Sequence, residues 1–177
     1  DTQELLKLFR ALLILAAAYF VFEVCFAEFA GLFSAIDALK AGNSAFTTDT
    51  VLPAATDITG SKSLVFSYVV LALRFAAEVL PTLLAAATAY FAIGLLDTME
   101  DGAFTQESAA YAPKLAEWCV KVLKLSVLLA LAVNLLQAVC APLILSTSIS
   151  IRLPVLELCF VLAALLGARL IASNVAL

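Results

Sequence analysis

The sequence predicts an all-α, polytopic membrane protein: four transmembrane helices in a compact bundle, with residues 1–177 forming a single domain. Three observations carry that expectation. The chain is 64% hydrophobic and only 14% charged, against about 45–50% and about 25% in soluble domains. Its apolar residues gather in runs that match the roughly 20 residues of a helical span. Those runs are continuous and lack the period-two alternation of a membrane barrel. The same figures exclude an ordinary cytosolic enzyme and a disordered chain. A pI near 4.7 and a net charge of −4 exclude direct nucleic-acid binding.

The first span is expected at residues 11–32, opening with uncharged residues and then carrying Glu23 and Glu28. Its apolar run is too long for a signal-peptide core and reads as a retained helix. Ser34 to Leu39 extend it. The second span is expected at 76–96, and apolar residues from Leu64 continue it backwards. A helix from Leu64 to Leu96 would measure roughly 50 Å, far more than a bilayer core needs. The first two helices are therefore expected to project beyond the outer face. The intervening segment 41–63, rich in Gly, Asn, Ser, Thr and Asp and holding Pro53, reads as an irregular cap.

After the second span, Asp97, Glu100 and Asp101 end the helix, and Gly102 suits a left-handed C-cap position. Thr105 is a good N-cap for the next helix, with Glu107 in its first turn. From Pro113, the residues Lys114, Glu117, Lys121 and Lys124 form one polar stripe, opposite Leu115, Trp118, Val122 and Leu123. This predicts a short amphipathic cytoplasmic helix at the headgroup boundary, with Trp118 at the interface. Phe104, Thr105, Glu107, Lys114, Trp118 and Lys121 are the candidates for docking a cytoplasmic partner. The bland reading is a membrane-anchoring segment. The third and fourth spans are expected at 125–145 and 153–171.

A long second helix, an acidic turn, the run from Asp101 to Ser108 and a helix leading into a third span together resemble a bacterial family of small four-span membrane proteins. It is catalogued as domain of unknown function 2975. Gly102, Phe104, Thr105, Gln106 and Glu107 carry the resemblance. The chain departs from it at Tyr111, Ala112 and Pro113, where arginines are common. Members often accompany small helix-turn-helix regulators. The resemblance thus implies an inner-membrane protein with a regulatory role.

Lysines and arginines set orientation. Lys7, Arg10, Lys114, Lys121, Lys124 and Arg169 are assigned to one side, and Lys40, Lys62, Arg74 and Arg152 to the other. Six against four favours a cytoplasmic location for both termini.

Ionisable residues within a span are costly, and each is a candidate functional site. Ala11, Leu96, Leu125 and Arg169 are taken as the inner boundary. Glu23, Gln137 and Glu157 then lie roughly 18 Å up, and Glu28, Glu78 and Arg152 about 25–27 Å up. Arg74 is slightly higher, and Asn134 is near mid-membrane. Arg74 and Glu78 are four apart and can pair. Glu23 and Glu28, five apart on an α-helix, diverge by about 140°. The candidate intramembrane polar cluster is Glu23, Glu78, Glu157, Asn134 and Gln137, with Arg74 and Arg152 as counter-ions. A packing network is the alternative reading.

Catalysis is not expected. Histidine is absent, as are GxSxG and paired-aspartate motifs. Cys25, Cys119, Cys140 and Cys159 have no metal-ligand spacing, so neither a metal nor a cofactor is expected. Small residues such as Ala85 and Ala89 suit close helix approach. The favoured reading is a non-enzymatic regulatory or sensor-like protein, embedded in the lipid bilayer, that works through a protein partner, either a cytoplasmic regulator or another membrane subunit. The alternative is an accessory subunit of a larger membrane complex or transporter, with the polar cluster as an ion or substrate site. A homo-oligomer is compatible with either.

Overall fold

The computed structural model describes residues 1–40, 54–55, 64–99, 103–140, 148–149 and 153–175. Among these, helix dominates. α1 (Thr2–Phe22) passes through a π-helical segment (Glu23–Glu28) into α2 (Phe29–Lys40) without interruption. α3 spans Leu64–Asp97, α4 spans Gln106–Cys140 and α5 spans Val155–Val175. Four helical stretches are long and apolar enough to cross a membrane, which fits a multi-pass membrane protein. The expected backward extension of the second helix to Leu64 and the forward extension of the first through Leu39 are both observed.

The all-helical expectation holds for the bundle, and the described connections add one two-residue ladder. β1 (Ala54–Ala55) and β2 (Ser148–Ile149) pair antiparallel, so the two connections assigned to one side of the membrane do meet. The rest of segment 41–63, and Gly102, Glu100 and Asp101, lie outside the described residues. The short amphipathic helix expected before the third span is continuous with it: residues 106–124 are the first half of α4. No glycine lies between Pro113 and Leu125, and most residues there favour helix, so nothing turns the chain.

The chain divides into two compact units that share helices. Unit 1 comprises Asp1–Glu23, Pro81–Leu125 and Val155–Leu177; unit 2 comprises Val24–Leu80 and Ser126–Pro154. In α3 the division falls at the buried Pro81, which removes one backbone donor from the helix. In the first helix it falls inside the π segment.

Unit 1 is built on small residues. On α4, Ser108, Ala112, Leu115, Cys119 and Val122 are buried at alternating steps of four and three, the spacing of an antiparallel helix seam. They meet Ala85 and Leu95 of α3, Phe20 of α1, and Val161, Leu165 and Ala168 of α5. Ala85, Ala89, Ala112 and Cys119 are fully buried. Cys119 therefore acts as a small apolar residue. Gly94 allows a close approach: a Cβ there would lie 2.6 Å from the Tyr111 hydroxyl, so the ring would have to shift. Phe20 packs edge-on against Phe160, with ring centroids 5.3 Å apart. Unit 2 has a smaller core of Leu39, Val70 and Leu71, against which Leu32, Ile36, Tyr68 and Cys140 pack.

Candidate functional site

The turn between α3 and α4 is held by three hydroxyls. Thr105 is the N-cap: its Oγ1 accepts the Ser108 N–H at 3.3 Å, and the Thr105 N–H donates to Ser108 Oγ at 3.3 Å. This is a reciprocal capping box with serine at the third helical position in place of the usual glutamate or glutamine. The Thr105 hydroxyl donates to the Thr98 carbonyl at 2.7 Å, and Ser108 Oγ donates to the same oxygen at 3.2 Å. Thr98 Oγ1 donates to the Leu95 carbonyl at 2.6 Å. Orphan carbonyls of α3 and an orphan N–H of α4 are thus satisfied together. Replacing Thr105 by alanine is expected to lower stability by about 1–2 kcal/mol. Thermal unfolding in detergent checks this. A Thr105→Ser variant keeps the hydroxyl and should lose far less.

That chemistry reassigns two of the docking candidates. Thr105 is half-buried and engaged in the turn. Trp118 points inward, because its indole N–H finds an acceptor there. Nε1 donates to Thr88 Oγ1 at 3.0 Å, and its ring packs edge-on against Phe91 at 5.1 Å. Phe104, Glu107, Lys114 and Lys121 remain exposed. Lys121 pairs with Glu117 at 3.0 Å, both largely exposed, so the pair contributes well under about 1 kcal/mol.

The helix levels within unit 1 follow from these contacts. Arg10 and Asp97 form an ion pair at 3.1 Å, so Ala11 and Leu96 sit at one level, as the sequence reading takes them. Thr82 donates to Glu157 Oε1 at 2.9 Å, which fits Arg169 at that level too, about 18 Å below Glu157. Leu125 does not fit. Ser108 lies beside Thr98, and Trp118 beside Thr88, so α4 starts at the turn. Leu125 is about 28 Å of rise along α4 from Gln106. The start of the apolar run therefore does not share the level of Ala11, Leu96 and Arg169.

The candidate polar cluster consequently separates by unit. Glu23 and Glu157 belong to unit 1; Arg74, Glu78, Asn134 and Gln137 belong to unit 2. Arg152 lies outside the described residues. In unit 1 Tyr19 lies one turn before Glu23, and its hydroxyl is within electrostatic reach of Glu23 and Glu157. Tyr19, Glu23, Thr82 and Glu157 thus form a polar spot drawn from α1, the π segment, α3 and α5. Glu157 lies in the first turn of α5, where the helix dipole favours a carboxylate. In unit 2, Arg74 Nε donates to Glu78 Oε1 at 3.1 Å, with only 11% and 22% of the side chains exposed. Gln137 is buried on α4, and Asn134 is half-buried one turn away.

Sequence reasoning missed Tyr19 and Thr82. Both carried a usable signal: Tyr19 is four residues before Glu23, and Thr82 has nearly the same rise above the boundary as Glu157. It also missed the π segment. The 140° divergence of Glu23 and Glu28 assumed α-helical geometry, whereas i→i+5 bonding brings positions five apart over one another. No group of three or more potential metal ligands occurs among the described residues.

No family model matches the chain, and no curated protein or solved structure is similar to it.

Proposed function

We propose that the chain is a non-enzymatic regulatory or sensor-like protein of the bacterial inner membrane that acts through a protein partner docked on α4. One observation carries this reading. The exposed face of α4 in unit 1 holds Lys114, Glu117, Lys121 and Lys124, whereas α1 and α5 expose residues such as Leu12, Leu15, Leu162 and Leu166. Charged side chains facing lipid are costly, so such a stripe suits contact with water or protein. Phe104, 42% exposed beside the turn, adds an apolar contact at one end. The resemblance around Gly102–Glu107 to domain of unknown function 2975 points the same way.

Helix length supports a projection beyond the bilayer. α3 and α4 have 34 and 35 residues, which is about 50 Å each against a hydrocarbon core of about 30 Å. Lys7, Arg10 and Arg169 near one end of unit 1 support cytoplasmic termini.

Purification from native membranes tests the reading. The wild-type chain should retain a stoichiometric partner, and a Lys114→Glu/Lys121→Glu/Lys124→Glu variant should lose it while inserting normally. Retention of the same partner by the variant would overturn it. The Tyr19–Glu23 proximity and the Thr82–Glu157 contact favour a second reading, an accessory subunit with an ion or substrate site. In that case co-purifying membrane subunits would be insensitive to the lysine changes.

A further inference from the structure

Contacts inside unit 1 fix the level of the charged α4 face against α5. Ser108 lies beside Thr98 and Trp118 beside Thr88, so each step up α4 is one step back along α3. Glu117 is then level with Ala89, and Lys114 with Ala92. Thr82 meets Glu157. Arg10 meets Asp97, and ten residues further up α1, Phe20 meets Phe160. α5 therefore runs parallel to α3. Counting on from these two α5 contacts sets Glu117 level with residues roughly 162–164, and Lys114 level with roughly 165–167.

α5 has 21 residues and is apolar enough to span a membrane. Its length, about 30 Å, matches the hydrocarbon core. Leu162 and Leu166 are exposed on it, as lipid-facing residues of a span are. Lys114 and Glu117 thus lie at bilayer depth, more than about 10 Å of rise from either end of α5. Lys124 is close enough to the Val155 end to snorkel to the interface. Lys121 instead turns inward to Glu117, and this pair at 3.0 Å is 70% and 68% exposed. Charges at that depth are not left facing lipid.

We infer that the charged face of α4 is covered within the bilayer by a membrane-spanning helix of a partner protein that carries acidic side chains. This rests on the reading of α4 as a docking face, and it makes the occupant a membrane subunit. Charge selects the chemistry. Glu117 matches Lys121, whereas Lys114 and Lys124 have no ion-pair partner among the described residues. A complementary surface is therefore acidic. A second copy related by an axis along the bilayer normal would set Lys114 against Lys114, and like charges repel.

Photocrosslinking of the full chain in native membranes tests this. A benzophenone amino acid replaces the exposed Pro113, beside Lys114, and in a control replaces Leu166. The expected adduct at 113 maps by mass spectrometry to a membrane-spanning segment containing Asp or Glu, while the control reacts with lipid. A Lys114→Glu/Lys124→Glu variant should lose the 113 adduct, and Lys114→Arg/Lys124→Arg should keep it. An adduct to a soluble protein or an extramembrane segment overturns the inference and leaves the docking reading standing. Adducts to lipid alone overturn both. An adduct to a second copy, or one that survives the glutamate changes, overturns the acidic partner. Should the glutamate variant fail to insert, the adduct formed with both lysines in place decides.

Discussion

Replacing Arg74 by leucine is expected to destabilise the protein by about 3–5 kcal/mol, the range seen when one partner of a buried ion pair is removed. The Arg74 side chain is 11% exposed and the Glu78 side chain 22% exposed, so each charge is left largely buried when its partner is lost. The pair is intrahelical, at i and i+4, and adds little to tertiary packing by itself. Its importance lies in what each charge does when abandoned. The double variant Arg74→Leu/Glu78→Leu should therefore recover much of the loss, because it removes both charges from the interior. A double-mutant cycle on unfolding free energy measures this. Equal damage in the single and double variants would show that Arg74 acts through its other contacts rather than through Glu78.

The helices most visible in the sequence are those with nothing to interrupt them. The run from Leu64 to Leu96 contains one proline and one glycine, and it folds as the single helix α3. Thr105 was legible as a cap because its hydroxyl spacing to the third helical N–H is a local property. Levels of one helix against another are not local. The apolar run at 125–145 begins where lipid-like composition begins, but α4 begins at Gln106, where Thr105 caps it. Hydropathy cannot see those first turns, because Lys114, Glu117 and Lys121 depress the average while Ala112, Leu115 and Cys119 do the packing. The π segment leaves no trace in composition, since EVCFAE contains neither glycine nor proline. Asn134 and Gln137 fall in unit 2 because of the register of α4, which is not a local property of the sequence.

Trp118→Ala is expected to cost about 3–5 kcal/mol, the usual range for removing a large packed aromatic. The indole makes two contacts with α3. Its ring meets Phe91 edge-on at 5.1 Å, and its N–H donates to Thr88, whose own hydroxyl donates to the Leu84 carbonyl at 2.8 Å. Thr88 is fully buried in the intact protein. Trp118→Phe separates the two contributions. It keeps most of the ring packing and removes the donor, and should cost about 1 kcal/mol, the net worth of one neutral hydrogen bond. Thr88→Val removes the acceptor instead and leaves the indole N–H buried and unpaired. It should cost about 1–3 kcal/mol. Trp118 is the sole tryptophan, so Thr88→Val also has a spectroscopic readout: the emission maximum should shift in the folded protein. An interfacial anchor would respond differently. In that arrangement Thr88→Val would leave emission unchanged, and Trp118→Ala would reduce membrane insertion rather than the stability of the inserted bundle.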